Sequence, residues 1–309
     1  MNSENSSHPV IALVGPTAVG KSKLALRLAA EFGADILSAD SRQVYRYMDI
    51  GTVKPTRAEQ AQVRHYLLDL VPPDDTFTVQ RYRVEGMRVL RRVSAAGRPA
   101  LVVGGTGFYI RALLDGGGLA ETPPDPELRA ELRREADNEG GAVLHERLTT
   151  LDPNSADRIH QNNVARVIRA LEIVQARGGP IPPRVTDSPI PALYLGLDMD
   201  RGALRALAAQ RIVEQVESGF VEEVRRLLDM GYDPTLPALQ GFGYRQIVEY
   251  LQAKLTLPEA IEAYTTATNG YIRRQMTWFR ADARIRWLPS GPQAHDLAIR
   301  AVERFLATK

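Results

Sequence analysis

Val10-Ile11-Ala12-Leu13-Val14-Gly15-Pro16-Thr17-Ala18-Val19-Gly20-Lys21-Ser22 is the stretch that decides how this chain folds. Five apolar residues run into Gly15–Ser22, which matches G-x-x-x-x-G-K-[ST] at every fixed position. Beyond the match, Leu24, Leu28 and Phe32 recur at helical spacing. Strand, glycine loop and helix in that order make a phosphate cradle. The glycines let main-chain N–H groups turn inward, and the helix N-terminus adds a favourable dipole. Lys21 supplies a compact positive charge, and the Ser22 hydroxyl can ligate Mg²⁺. The motif specifies a phosphate group rather than ATP. Most nucleotide hydrolases and kinases of this class also hold Mg²⁺ through an acid at the end of another strand. Here the strand Ala100–Val103 runs instead into Gly104-Gly105-Thr106-Gly107, which counts against a small-molecule kinase.

Working outward, Ala34–Leu37 reads as a second strand and ends in Ser38-Ala39-Asp40-Ser41. Thr78–Ala96 reads as a helix stopped by Gly97 and Pro99, and Ala100–Val103 is the third strand. Strands alternating with helices predict an α/β fold, a parallel sheet covered on both faces. Ligands of such sheets sit outside the C-terminal strand ends, so Asp40 is expected to face the same crevice as Gly15–Ser22. A carboxylate gains nothing from attraction to a diphosphate. Its place there suits a proton acceptor or a metal ligand, although an Asp-Ser pair also serves as a turn or cap.

The pattern changes after Leu114. Asp115–Pro126 is rich in Gly and Pro, Gly178–Pro191 is Pro-rich, and Glu127–Arg177 between them is almost entirely helical in pattern. Leu193–Leu197 returns to strand character, Arg284–Leu288 reads as a late strand, and a last helix starts near Ala294. This predicts a core of residues 1–114 and 193–309 interrupted by an all-helical insertion, residues 115–192.

The chain contains no cysteine, which excludes disulfides, thiolate catalysis and Cys-ligated zinc. Its five histidines are scattered without metal-ligand spacing. Met1–Pro9 is polar and lacks a signal-peptide pattern, and no stretch is apolar enough to span a bilayer, so a cytoplasmic protein without membrane contact is expected. Among 39 basic residues, 34 are arginine, a bias that a GC-rich genome also produces but whose fork geometry suits phosphate and RNA. Val164, Val167, Ile168, Leu171 and Val174 share one helical face, while Arg166, Arg169 and Arg177 fall opposite. Ile173 breaks the pattern by sharing the arginine side. A solvated amphipathic helix accounts for this arrangement by itself. Thr268–Arg280 carries Arg273, Arg274, Trp278 and Arg280, with Trp278 read as a core residue rather than a base-stacking platform.

Beyond the phosphate loop, a series of segments follows in fixed order: Ser38–Tyr45, Asp49–Pro55, His65–Asp69, Gly104–Ile110, Leu151–Ala156, Arg169–Glu172, Gly243-Tyr244 and Arg274–Arg280. Together they resemble the tRNA dimethylallyltransferases (tRNA isopentenyltransferases) of the bacterial type over nearly the whole chain. The resemblance implies a P-loop kinase-like core whose helical insertion clasps the anticodon stem-loop of tRNA. It implies transfer of a dimethylallyl group from dimethylallyl diphosphate to N6 of adenine 37, assisted by Mg²⁺, with diphosphate leaving. By position, Asp40 matches the general base, Thr17 a group at the reacting centre, and Arg211 an arginine that closes on the diphosphate. Gly15, Pro16, Thr17, Ala18, Val19, Gly20, Lys21 and Ser22 match the diphosphate loop, with Ser22 as metal ligand. The RNA-contacting positions carried over are Asp40, Ser41, Arg42, Gln43, Thr106, Arg129, Ala165, Arg166, Val167, Ile168 and Arg169, in a protein expected to act as a monomer. Two departures stand out. Asn269 occupies a position where arginine is usual, and Asn162-Asn163 one where Asn-Asp is common. Prenylation of a free nucleotide and non-catalytic RNA binding are the competing readings. The RNA-facing arginines count against the first and the intact loop beside Asp40 against the second.

Overall fold

The computed structural model describes residues 9–116, 122–123, 125–182 and 189–308. In chain order the elements are β1 (Val10–Val14), α1 (Lys21–Phe32), β2 (Asp35–Ser38), α2 (Arg57–Gln62), β3 (His65–Tyr66), α3 (Val79–Ala95), β4 (Ala100–Gly104) and α4 (Gly107–Leu114). Four helices follow: α5 (Pro126–Glu139), α6 (Gly141–Leu151), α7 (Pro153–Ala156) and α8 (Val164–Arg177). The chain then forms β5 (Ala192–Asp198), α9 (Arg201–Glu217), α10 (Phe220–Asp229), α11 (Tyr244–Leu251), α12 (Leu257–Arg280), β6 (Arg286–Pro289) and α13 (Gln293–Leu306). Two compact units result, Met1–Gly116 with Ser188–Lys309, and Gly117–Asp187.

The larger unit is built on one parallel sheet in the order β3-β2-β4-β1-β5-β6. β1 is paired on both sides, Val10 with Ala100 and Ala192, so all five of its residues are buried and apolar. Its alternate side chains feed two cores. Ile11 and Leu13 meet Leu24 and Leu28 of α1 and Ala298 and Val302 of α13. Val10, Ala12 and Val14 join the opposite core with Tyr82, Val89 and Leu113. Connections leave β1 toward β2 and β4 on one side, then toward β5 and β6 on the other. The loop after β1 therefore lies where the winding reverses, the usual ligand crevice of such sheets. α1 is bounded by left-handed glycines, Gly20 with φ 98° and Gly33 with φ 61°. α12 begins at a capping box: the Thr256 N–H donates to Glu259 Oε2 at 2.7 Å and the Glu259 N–H donates back to Thr256 Oγ1 at 3.4 Å. No helix among the described residues is long and apolar enough to cross a membrane.

Several expectations shift. β2 covers Asp35–Ser38 rather than Ala34–Leu37. β6 starts at Arg286, because Arg284 is held in a turn by Asp282 and Asp115 at 2.6 Å each. The two-residue strand β3 adds an edge that is too short to show any period in sequence.

The smaller unit packs Leu132, Leu144, Leu148, Val167, Ile168 and Leu171 around one core. Ile173, on the arginine side of α8, is buried, as is Glu172 beside it. Glu172 accepts from Arg129 at 2.9 Å, from Arg169 at 2.5 Å and from the Asp125 N–H. Burial works against its charge, but these three donors outweigh burial and hold the carboxyl below its usual range.

Candidate active site

Gly15 has φ 141°, and a Cβ there would approach Leu197 O of β5 to 3.0 Å, so the loop can pass this close to the sheet only through glycine. The loop is also held from across the chain. Gln275 of α12 accepts the Thr17 N–H at 2.9 Å and donates Nε2 to Gly105 O, also at 2.9 Å. One side chain thus ties the β1 loop to the turn after β4. Lys21 bends back to donate to Pro16 O at 2.5 Å. Burial pulls its ammonium down from an ordinary 10.5 to about 7, with Asp40 opposing the shift and Arg211 reinforcing it. Both Asp40 and Arg211 are therefore near enough for Lys21 to feel their charges. Burial also lowers Arg211, with Glu214 and Tyr264 opposing.

Asp40 is set by the ends of two strands. Ala39 N–H donates to Val103 O at 2.7 Å, and Thr106 N–H donates back to Ala39 O at 3.1 Å. Gly104 leaves no space for a side chain, because a Cβ would lie 2.1 Å from Ala39 O. Asp40 Oδ1 then accepts the Arg42 N–H at 2.8 Å, which orients the carboxylate through its own turn. Among the described residues no group donates to its other oxygen, and the side chain is half-buried. Thr106 accepts the Ser41 N–H at 3.1 Å. Arg42 donates to Pro237 O at 2.8 Å and to Ala238 O at 3.3 Å. Tyr271 of α12 is raised to about 12, by burial first and by the charge of Asp40 second.

A strap supports this turn from behind. Gln43 Oε1 accepts from Ser38 Oγ at 2.8 Å, while its Nε2 donates to Thr52 O at 3.2 Å and Val53 O at 3.0 Å. Residues 49–55 are pinned in turn. Lys54, buried, pairs with Asp49 at 2.5 Å and Asp69 at 2.6 Å. Buried Glu223 accepts the N–H groups of Asp49, Ile50 and Gly51 at 2.8, 2.7 and 3.1 Å and the Tyr244 hydroxyl at 2.7 Å. Glu223→Ala would orphan all four donors, each at roughly 1–3 kcal/mol when buried. Stability is expected to fall by about 3 kcal/mol or more. Urea denaturation reads this directly, and an unchanged midpoint would refute the strap.

The larger unit therefore brings together Gly15–Ser22, Asp40–Gln43, Thr106 and Arg211. Arg129, Ala165, Arg166, Val167, Ile168 and Arg169 belong to the smaller unit, where Arg166 is exposed, Val167 and Ile168 are core, and Arg129 and Arg169 are engaged by Glu172. Sequence reasoning missed Gln275 and Tyr271. Their signal was a polar stripe on α12 with Tyr264 and Thr268, which the arginines nearby obscured. Trp278 is corrected outright. It is 37 % exposed, packs edge-on against exposed Phe108 at 6.4 Å, and overlies Gly107, where a Cβ would lie 2.2 Å from its ring. With Arg273, Arg274 and Arg111 it borders an open cleft of about 840 Å³ that includes neither the loop nor Asp40. No group of three or more His, Cys, Asp or Glu side chains among the described residues could hold a metal by itself.

Known proteins resemble this chain in sequence and fold. The IPP transferase family model matches residues 43–282. A tRNA dimethylallyltransferase of Thermomicrobium roseum is 45 % identical, with 92 % of this chain and 87 % of that protein aligned. One from Geobacter sulfurreducens is 43 % identical over 93 % of this chain and 94 % of its own. The crystal structure of the tRNA isopentenylpyrophosphate transferase of Bacillus halodurans superposes with a TM-score of 0.72 at 35 % identity, covering 97 % of this chain and 96 % of that one.

Proposed function

This chain belongs to the IPP transferase family, and from that premise we propose that it transfers a dimethylallyl group from dimethylallyl diphosphate to N6 of adenine 37 in tRNA. The observation that carries the reading is that Gln275 ties the glycine loop at Thr17 to the turn after β4, whose Thr106 N–H holds the strand end before Asp40, so that Lys21 in that loop feels the charges of Asp40 and Arg211. The exocyclic amine of adenine is a weak nucleophile, because its lone pair is delocalised into the ring. As N6 bonds to C1 of the dimethylallyl group, the C1–O bond to diphosphate breaks and one N6 proton passes to Asp40. Asp40 can accept it because only one of its oxygens is occupied by the Arg42 N–H. The departing diphosphate gains charge on its bridging oxygen. The remaining loop N–H groups, Lys21 once turned from Pro16 O, and Arg211 are donors for that charge as it develops. Thr17 sits at the turn of the loop, its backbone locked by Gln275.

The residues present fit a magnesium ion. Ser22 offers an exposed hydroxyl, one hard ligand that would leave the rest of the shell to diphosphate and water. When bound, the ion would neutralise part of the leaving charge.

The target base must leave its stack to reach Asp40. Ser41, Arg42, Gln43 and Thr106 border that point. Exposed Trp278 with Arg273 and Arg274 offers a stacking face and phosphate donors, the combination that suits single-stranded loops. On the smaller unit Arg166 is free to meet a phosphate, whereas Arg129 and Arg169 would share theirs with Glu172. The protein would act in the cytoplasm, where tRNA is matured. Incubation of purified protein with tRNA, dimethylallyl diphosphate and Mg²⁺ is expected to yield isopentenyladenosine at position 37 by mass spectrometry, with stoichiometric diphosphate release. Absence of the modified base, with folded protein and intact tRNA, would refute the reading.

A further inference from the structure

Helix α12 crosses the site with one polar stripe. Tyr264, Thr268, Tyr271 and Gln275 recur at spacings of four, three and four, which puts them on one helical face. Three of them have partners. Tyr264 donates to Gln215 Oε1 at 3.1 Å and feels the charge of Arg211. Tyr271 reaches Gly105 O at 3.5 Å and feels the charge of Asp40. Gln275 holds Thr17 and Gly105. Thr268 lies between these levels, 6 % exposed, and its Oγ1 has no hydrogen-bond partner among the described residues.

Such an orphan is unusual, since buried polar atoms are nearly always hydrogen-bonded. A helical threonine has an easy remedy, donation to the carbonyl four residues back. Thr265 takes it, at 2.8 Å to Ile261 O, and so does Thr277, at 3.0 Å to Arg273 O. Thr268, on the same helix, does not. The next residue repeats the anomaly: Asn269 Oδ1 is also buried without a partner among the described residues.

We propose that Thr268 is a further leaving-group contact, its hydroxyl donating to a diphosphate oxygen of the donor substrate. The inference rests on the transfer reading above. The stripe runs from the neighbourhood of Arg211 to that of the loop. Arg211 disfavours the charge of Lys21, which an anion beside both would relieve. A neutral hydroxyl adds a donor without adding a third positive charge. Once diphosphate is bound, the orphaned oxygen has its partner.

The test compares Thr268→Val, which keeps the shape and removes the hydroxyl, with Thr268→Ser, which keeps the hydroxyl. Calorimetric titration with inorganic diphosphate and Mg²⁺ is expected to show about ten- to a hundredfold weaker binding for Thr268→Val, as for a lost hydrogen bond to a charged group. Thr268→Ser should bind within a few-fold of the wild type. The free Thr268→Val protein should melt at the same temperature as the wild type or higher, because an unsatisfied hydroxyl is replaced by a methyl. Its affinity for tRNA should not change. A purely structural threonine predicts the opposite, a lower melting temperature with diphosphate affinity intact, and that result would overturn the proposal. If Lys21→Met abolishes diphosphate binding while Thr268→Val leaves it untouched, only the role of Thr268 falls. Should the wild type itself ignore diphosphate, the transfer reading falls and takes this inference with it.

Discussion

Replacing Asp40 by asparagine is expected to slow transfer by about 10²- to 10⁴-fold, the usual contribution of a general base, while both substrates still bind. Asparagine keeps an acceptor where Oδ1 receives the Arg42 N–H at 2.8 Å, so the turn after β2 should survive. What it lacks is the ability to take a proton from N6. The loss should therefore appear in kcat under single-turnover conditions, with KM for either substrate and the melting temperature close to those of the wild type. If the carboxylate served only to cap its turn, the chemical step would proceed at its normal rate. That result would remove Asp40 as the base.

Lys21→Met should be nearly as damaging, by another route. A preorganised donor aimed at developing charge is worth about 10² to 10³ in rate, and methionine fills similar space without the ammonium. A pH signature accompanies it. In the free enzyme burial has brought Lys21 down to about 7, so its positive charge is present below that pH and lost as pH rises through it. Diphosphate favours the charged form, so above pH 7 binding must draw in a proton. kcat/KM for the prenyl donor should then fall by about tenfold per pH unit on that limb. Lys21→Arg should abolish the limb, because a guanidinium stays protonated throughout this range. The sign for stability is the reverse. The unfolded chain, with Lys21 at its ordinary 10.5, binds more protons than the folded one between about pH 7 and 10.5, so this residue's contribution to stability rises with pH across that window. A flat donor profile in the wild type would show that Lys21 remains charged and is not desolvated as described.

Much of the site was legible because it is local. The loop Gly15–Ser22 is set by adjacent residues: an apolar strand before, a helix after, and glycines where the backbone needs them. Asp40 followed from one rule about strand ends. On α8 burial extends beyond the apolar face to Glu172 and Ile173, which a helix-wheel pattern with one partner surface does not show. Trp278 was misjudged for a related reason: large aromatic residues are usually covered, and nothing nearby in sequence indicated that its ring would lie over Gly107.

By itself the sequence determined the parallel sheet, the interruption by a helical segment and the phosphate loop, since each depends on short-range conformation and on a repeating apolar pattern. Tertiary structure alone decided which distant polar groups complete the site. Gln275 reaches Thr17 across 258 residues, Glu223 gathers the N–H groups of 49–51 from 172 or more away, and the Thr268 hydroxyl is left without a partner among the described residues. A polar side chain on a helix has no preferred partner until packing chooses the surface it meets.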